Sequence, residues 1–268
     1  MNFHSDKWIM DRVREHYNEA LEHFPEDRIV GIYYQGSGNY GLDYSGSDVD
    51  TKLIVTPTFN DIAMNRNAVS TTHIRQNWEH IDFKDIRLYI QTFRKQNLNF
   101  LEILFTPYCI INPLYKNEWD RLVNAREDIA HYSPVQAIKS MRGIAKEKYY
   151  AMEHHYPSRM EWINKFGYDP KQLHHLLRVE EYIERYINEE SYKDCLISRN
   201  SKYLKNVKIG CHTLEEAREI ADASIKHIDD MCDVFLKTCN VEADKKIDDL
   251  LDDVQCNIMK IAIQKEMT

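Results

Sequence analysis

The chain has 268 residues, with 43 Asp and Glu against 35 Lys and Arg and a formal net charge of −8. That length supports a core without disulfides, and the acidic balance argues against wholesale binding to duplex nucleic acid. A polar opening segment, with no later apolar run near the roughly 20 residues of a membrane span, leads us to expect a soluble cytoplasmic protein.

Asp6 to His23 reads as a first helix, with Trp8, Ile9, Val13, Tyr17, Ala20 and Leu21 near the 3.6 period. Phe24-Pro25 stops it, and Arg28 to Gln35 is a β-type run. Gly36-Ser37-Gly38-Asn39-Tyr40-Gly41 satisfies GxGxxG, but only Leu42 to Ser47 separates it from Asp48. That leaves no room for the crossover helix of a dinucleotide-binding fold.

The informative stretch is Ser47-Asp48-Val49-Asp50, running on to Val55. If Asp48 to Val55 is a strand, Asp48 and Asp50 project to one side with Cα atoms roughly 6.5 Å apart. Carboxylates that close repel unless a cation lies between them. Hard oxygen donors suit Mg²⁺, as a pair of ions about 3.5 to 4 Å apart, with Mn²⁺ able to replace it. Lys52 shares that face and either contacts a triphosphate or relieves the repulsion. Gly36-Ser37 offers unhindered backbone N–H groups and a hydroxyl to phosphate oxygens.

Gly36-Ser37, a short linker and Ser47-Asp48-Val49-Asp50 resemble the signature of the DNA polymerase β-like nucleotidyltransferase superfamily. The resemblance implies that Gly36 and Ser37 hold the β and γ phosphates, and Ser47 and Lys52 beside them are further candidates for binding the nucleotide. It implies that Asp48 and Asp50 hold the metals, and that a third carboxylate on a later strand completes the catalytic set. In Asn77 to Phe83, Asp82 fits the apolar-acidic-apolar pattern, with capping of the helix over Lys84 to Gln96 as its structural alternative. Glu79 and Glu102 are weaker candidates.

Thr56 to Gln76 reads as a long polar loop, either a flap over the nucleotide or disordered. Asn99, Glu102, Leu104, Phe105 and Pro107 narrow the resemblance to a group of predicted nucleotidyltransferases of bacteria and phages. From Asn112-Pro113 the pattern is helical, so residues 1–112 are expected to form the nucleotidyltransferase domain and 113–268 a helical one. Pro134 to His154, a segment opened by Asp169-Pro170, Leu214 to Leu236 behind the Thr213/Glu216 capping box, and Ala243 to Lys265 all read as helices. Lys171, His175 and Arg178, spaced i, i+4, i+7, share a helix face. In the same group this pattern implies a basic stripe for a triphosphate or an acceptor's phosphate; an ordinary solvated face is the alternative. Acidic pairs such as Asp248-Asp249 and Asp252-Asp253 read as solvated surface. The six cysteines include no CxxC pair, so reduced thiols are expected.

The whole reads as an α+β protein, a small mixed-sheet nucleotidyltransferase core flanked by helices and followed by an all-helical C-terminal domain. The expected activity is Mg²⁺-dependent transfer of a nucleoside monophosphate from an NTP such as ATP to a hydroxyl of an RNA 3′ end, a protein or a small molecule, without duplex DNA or a membrane as partner. The alternative is a non-catalytic nucleotide-binding or partner-binding protein with the same fold.

Overall fold

A computed structural model describes residues 4–43 and 46–268, so the first three residues of the polar start lie outside it. The elements open with α1 (Asp6–Ala20), β1 (Ile29–Gln35), β2 (Asp50–Val55), α2 (Phe59–Ala63), β3 (Ser70–Ile74) and β4 (His80–Asp85). They continue with α3 (Ile86–Arg94), α4 (Leu98–Leu101), β5 (Cys109–Ile111), α5 (Lys116–Asn124) and α6 (Arg126–Ala130). Helices complete the chain: α7 (Pro134–Ala151), α8 (Met160–Phe166), α9 (Pro170–Ile187), α10 (Tyr192–Leu196), α11 (Ser201–Lys208), α12 (Leu214–Thr238) and α13 (Lys245–Glu266). The architecture is α+β with a helical C-terminal region, as the patterning implied.

Two compact units divide the chain: residues 1–132 together with 243–268, and residues 133–242. The first holds a mixed sheet of order β3-β4-β2-β1-β5, in which β2 and β4 run parallel and the other pairs are antiparallel. Strand alternation gives the sheet two unlike faces. Ile32 and Tyr34 of β1, Leu53 and Val55 of β2, and Ile81 and Phe83 of β4 pack with Ile9, Val13 and Ala20 of α1. The opposite face carries Tyr33, its ring tilted against Trp119 with centroids 4.6 Å apart, and the charged residues Asp50, Lys52 and Asp82.

Two expectations are corrected here. Asp48 precedes the strand, because β2 begins at Asp50; the Val49 N–H is spent on Glu79 Oε1 at 3.2 Å, not on a strand neighbour. The segment 56–76 is no continuous loop. Thr58 and Asp61 form a capping box for α2, and β3 pairs along β4 from Ser70↔Lys84 to Ile74↔His80. As an edge strand exposed at four of five positions, β3 has no apolar alternation to betray it.

The compact units also differ from a break at 112–113. Helix α13 belongs to the sheet-bearing unit, burying Ile247, Leu251, Val254 and Ile258. Three of its acidic residues also meet arginines while Asp249, Asp252 and Asp253 stay exposed: Asp248 and Asp252 each lie 2.6 Å from Arg94, and Asp253 2.6 Å from Arg121. A helix that returns across more than a hundred residues leaves no local trace of its partner.

In the second unit α7, α9 and α12 pack on one another, and α10 and α11 also pack on α9. Pro170 at the first turn and Asp169 as N-cap start α9, with Asp169 accepting the Lys171 N–H at 3.0 Å and two bonds from Arg159. All six cysteines are free, and among the described residues no helix is long and apolar enough to cross a membrane.

Candidate functional site

The site is built where β1 ends and β2 begins. The two meet in register, Gln35 opposite Asp50, so the turn after Gln35 and the segment before Asp50 are neighbours. Gly36 has φ +137°, a conformation only glycine adopts readily, and a Cβ there would also press on the Tyr34 hydroxyl at 3.3 Å. This explains the glycine, but its N–H is already used: it donates to Glu102 Oε1 at 3.0 Å. The expectation that this N–H faces a phosphate is therefore replaced by a structural role. Glu102, which is buried, also accepts from Asn39 Nδ2 at 2.5 Å and so fastens the whole turn. Ser37 and Ser47, ten residues apart, meet with hydroxyl oxygens 3.5 Å apart.

Asp48 is exposed on the segment before β2, while Val49 beside it is buried. The segment is held from beneath by Glu79, which takes the Val49 N–H with one oxygen. The other oxygen takes His16 Nε2 at 2.9 Å, Arg75 Nη1 at 3.0 Å and the Arg12 guanidinium. His16, fully buried, reaches on to Thr51 Oγ1 at 2.9 Å. Burial pushes the Glu79 carboxyl up, but the bonds from His16 and Arg12 outweigh it and hold its pKa well below the usual range. Glu79, just before β4, lies on the α1 side of the sheet, bonded to Arg12 and His16 of that helix. Glu79 and Glu102 are thus supports for the two halves of the site.

Asp50 and Asp82 share the open face of β2 and β4, each with its side chain 36% exposed. Asp82 lies in the strand; the cap of α3 is Asp85. The Asp82 register partner on β2 is Lys52, and Lys52 Nζ donates to Asp82 Oδ2 at 3.1 Å while sitting 4.0 Å from the Phe100 ring centroid. Thr72 of β3 donates to Asp82 Oδ1 at 2.6 Å. Burial raises the Asp82 pKa, but the Lys52 charge and the Thr72 bond more than offset it, so the net shift is downward. Asp50 Oδ1 accepts the His80 backbone N–H at 2.9 Å, with His80 Nδ1 3.3 Å away. Neither Thr72 nor His80 was singled out from the sequence. Thr72 lay in the supposed loop, whereas His80 was legible, since it shares the alternation of Asp82.

Does this set fit a divalent cation? The donor chemistry does, in hard carboxylate oxygens on one face at a strand end. Among the described residues, however, no three His, Cys, Asp or Glu side chains are gathered to hold a metal ion, and Asp82 is bound by Lys52 and Thr72.

In the second unit, the helix face of Lys171, His175 and Arg178 is not an open basic stripe. Lys171 and His175 are half-buried, and Arg178 is only 5% exposed. Burial, with the neighbouring His174 and the cations around it, pushes the His175 pKa well down. His174, beside this face, is fully buried and donates from Nδ1 to the Leu204 carbonyl at 2.9 Å.

The chain matches no protein-family model and no curated protein.

Proposed function

We propose that this chain is a divalent-cation-dependent nucleotidyltransferase that moves a nucleoside monophosphate from an NTP to a hydroxyl acceptor. The observation that carries this reading is the placement of Asp50 and Asp82 on one open face of adjacent strands, beside a turn that requires Gly36. Asp50 is partly exposed and Asp48 is exposed just before it, and hard carboxylate oxygens so close together suit a dication. Mg²⁺ or Mn²⁺ held by Asp48 and Asp50 would neutralise charge on the phosphates; Asp82 joins only if Lys52 releases it.

In the proposed reaction the acceptor oxygen attacks the α-phosphorus, its proton leaves, and the bond to the β-phosphate oxygen breaks to release pyrophosphate. Ser37 and Ser47, whose hydroxyl oxygens lie 3.5 Å apart, would hydrogen-bond phosphate oxygens in this reading. Lys52 is paired with Asp82 and would turn to the triphosphate on leaving it. RNA 3′ ends, protein hydroxyls and small molecules all remain acceptors to be offered.

The test is incubation with each of four α-labelled NTPs, Mg²⁺ or Mn²⁺, and total RNA or lysate, following where label goes. Asp50→Asn and Asp48→Asn are expected to lose transfer by about 10³-fold, several kcal/mol of lost charge stabilisation, with the melting temperature unchanged or raised. Retained transfer in both variants overturns the reading.

One observation favours a second reading, a non-catalytic nucleotide-binding protein: Asp82 is already satisfied by Lys52 and Thr72. Magnesium-dependent NTP binding with no labelled acceptor in any mixture is its signature.

A further inference from the structure

The residue opposite Asp50 on the neighbouring parallel strand is not the expected third acid. Thr51 pairs with Ile81 and Lys52 with Asp82, so the position beside Asp50 belongs to His80. Its imidazole lies on the same face, 42% exposed, with Nδ1 3.3 Å from Asp50 Oδ1. That oxygen is fixed by the His80 backbone N–H, so side chain and carboxylate are held to one another through the same residue. Two donors on adjacent corners of an octahedron with bonds of roughly 2.1 Å stand about 3 Å apart. The observed spacing is close to that edge. Asp82, two residues on, is engaged by Lys52, whose ammonium already supplies positive charge there and disfavours a second cation beside it.

We propose that His80, through Nδ1, is a ligand of the cation held by Asp50, and that it tilts the site toward Mn²⁺ over Mg²⁺. Magnesium selects oxygen donors and keeps most of its water, whereas imidazole is a borderline donor that first-row transition ions accept more readily. Two protein donors suffice at such a site, since dications in phosphoryl-transfer sites commonly take one or two protein ligands and complete their shell from substrate phosphates and water. The inference rests on the reading of Asp50 as a cation ligand. It adds the ligand and metal preference.

The test uses the full chain with Mn²⁺ alone, and its readout is the nitrogen coupling seen by pulsed electron paramagnetic resonance of the bound ion. Wild type is expected to show coupling from one directly bound imidazole nitrogen, which changes in the expected isotopic way when histidine is supplied as ¹⁵N. His80→Gln should lose the coupling, and His73→Gln should keep it. The Mn²⁺ Kd of His80→Gln should rise at least about tenfold, the lower end of what even an outer partner of a ligand contributes. Its Mg²⁺ Kd should stay within about threefold. A merely structural histidine would weaken both ions alike. Absence of coupling in wild type, its persistence in His80→Gln, or failure of Mn²⁺ to bind overturns the inference. Coupling without nucleotide transfer would sink the proposed function and leave the ligand assignment standing; transfer without coupling would do the reverse.

Discussion

The open face of β2 and β4 and the Lys171 face of α9 look alike as sequence, each a short set of charges at the spacing of its element. They end in different environments. A strand turns alternate residues to opposite faces, so β2 buries Leu53 in the α1 core while Asp50 stays at the solvent edge. Helix α9 is surrounded instead, with α7, α10, α11 and α12 packed on it, and little of its circumference faces water. Charged spacing predicts a functional face only where the element has a free side, and that is a property of the neighbours.

The largest way to break this contrast is at Glu79. If the sheet end is held up by buried charge, Glu79→Gln strands Arg12, Arg75 and His16 around a neutral amide and loosens the Val49 anchor. Removing one partner of a buried ion cluster costs about 3 kcal/mol or more, so urea unfolding should show a loss of that size. A change below about 1 kcal/mol would mean that the cluster is not what fixes the segment from Asp48 to Asp50.

On the α9 side, the buried imidazole of His174 gives a pH signature. Burial, partly opposed by the bond to Leu204 O and reinforced by the nearby Lys208, Arg178 and Lys171, brings its pKa down to about 3. The unfolded chain, titrating near the ordinary 6.5, therefore binds more protons than the folded one between those values. Stability from the neutral ring is complete above about pH 6.5 and falls as pH drops, by about 1.4 kcal/mol per unit. Hydrogen exchange of α9 amides should accelerate from pH 6.5 to 4.5 beyond the intrinsic chemical trend, and His174→Gln should flatten that excess. An unchanged excess in the variant would assign the effect to other groups.

The α+β class, the β1 and β2 runs and the stripes of α7 and α9 were legible because each rests on periodicity within one element. So was Asp82, by its place between Ile81 and Phe83. The sequence could not show that Lys52 would claim Asp82, since that bond follows from the parallel register of β2 and β4. Nor could it show that the Gly36 N–H would be taken by Glu102, 66 residues away. Edge strand β3 was invisible for a different reason: Ser70 to Ile74 bury so little that no pattern was imposed on them.

The smallest predicted effect is the sharpest for α9. Arg178 is nearly covered, whereas Lys171 at the helix start is half-exposed. A phosphate bound at this helix from solvent therefore meets Lys171 and not Arg178. By calorimetry, Arg178→Met should leave NTP affinity within about twofold of wild type, a difference under about 0.4 kcal/mol. Lys171→Ala is the control, because any loss of affinity through this face should appear there first. Should Arg178→Met weaken NTP binding more than Lys171→Ala does, with the fold intact by circular dichroism, the helix must open its Arg178 face to the nucleotide. The contrast with the sheet would then be one of state and not of architecture.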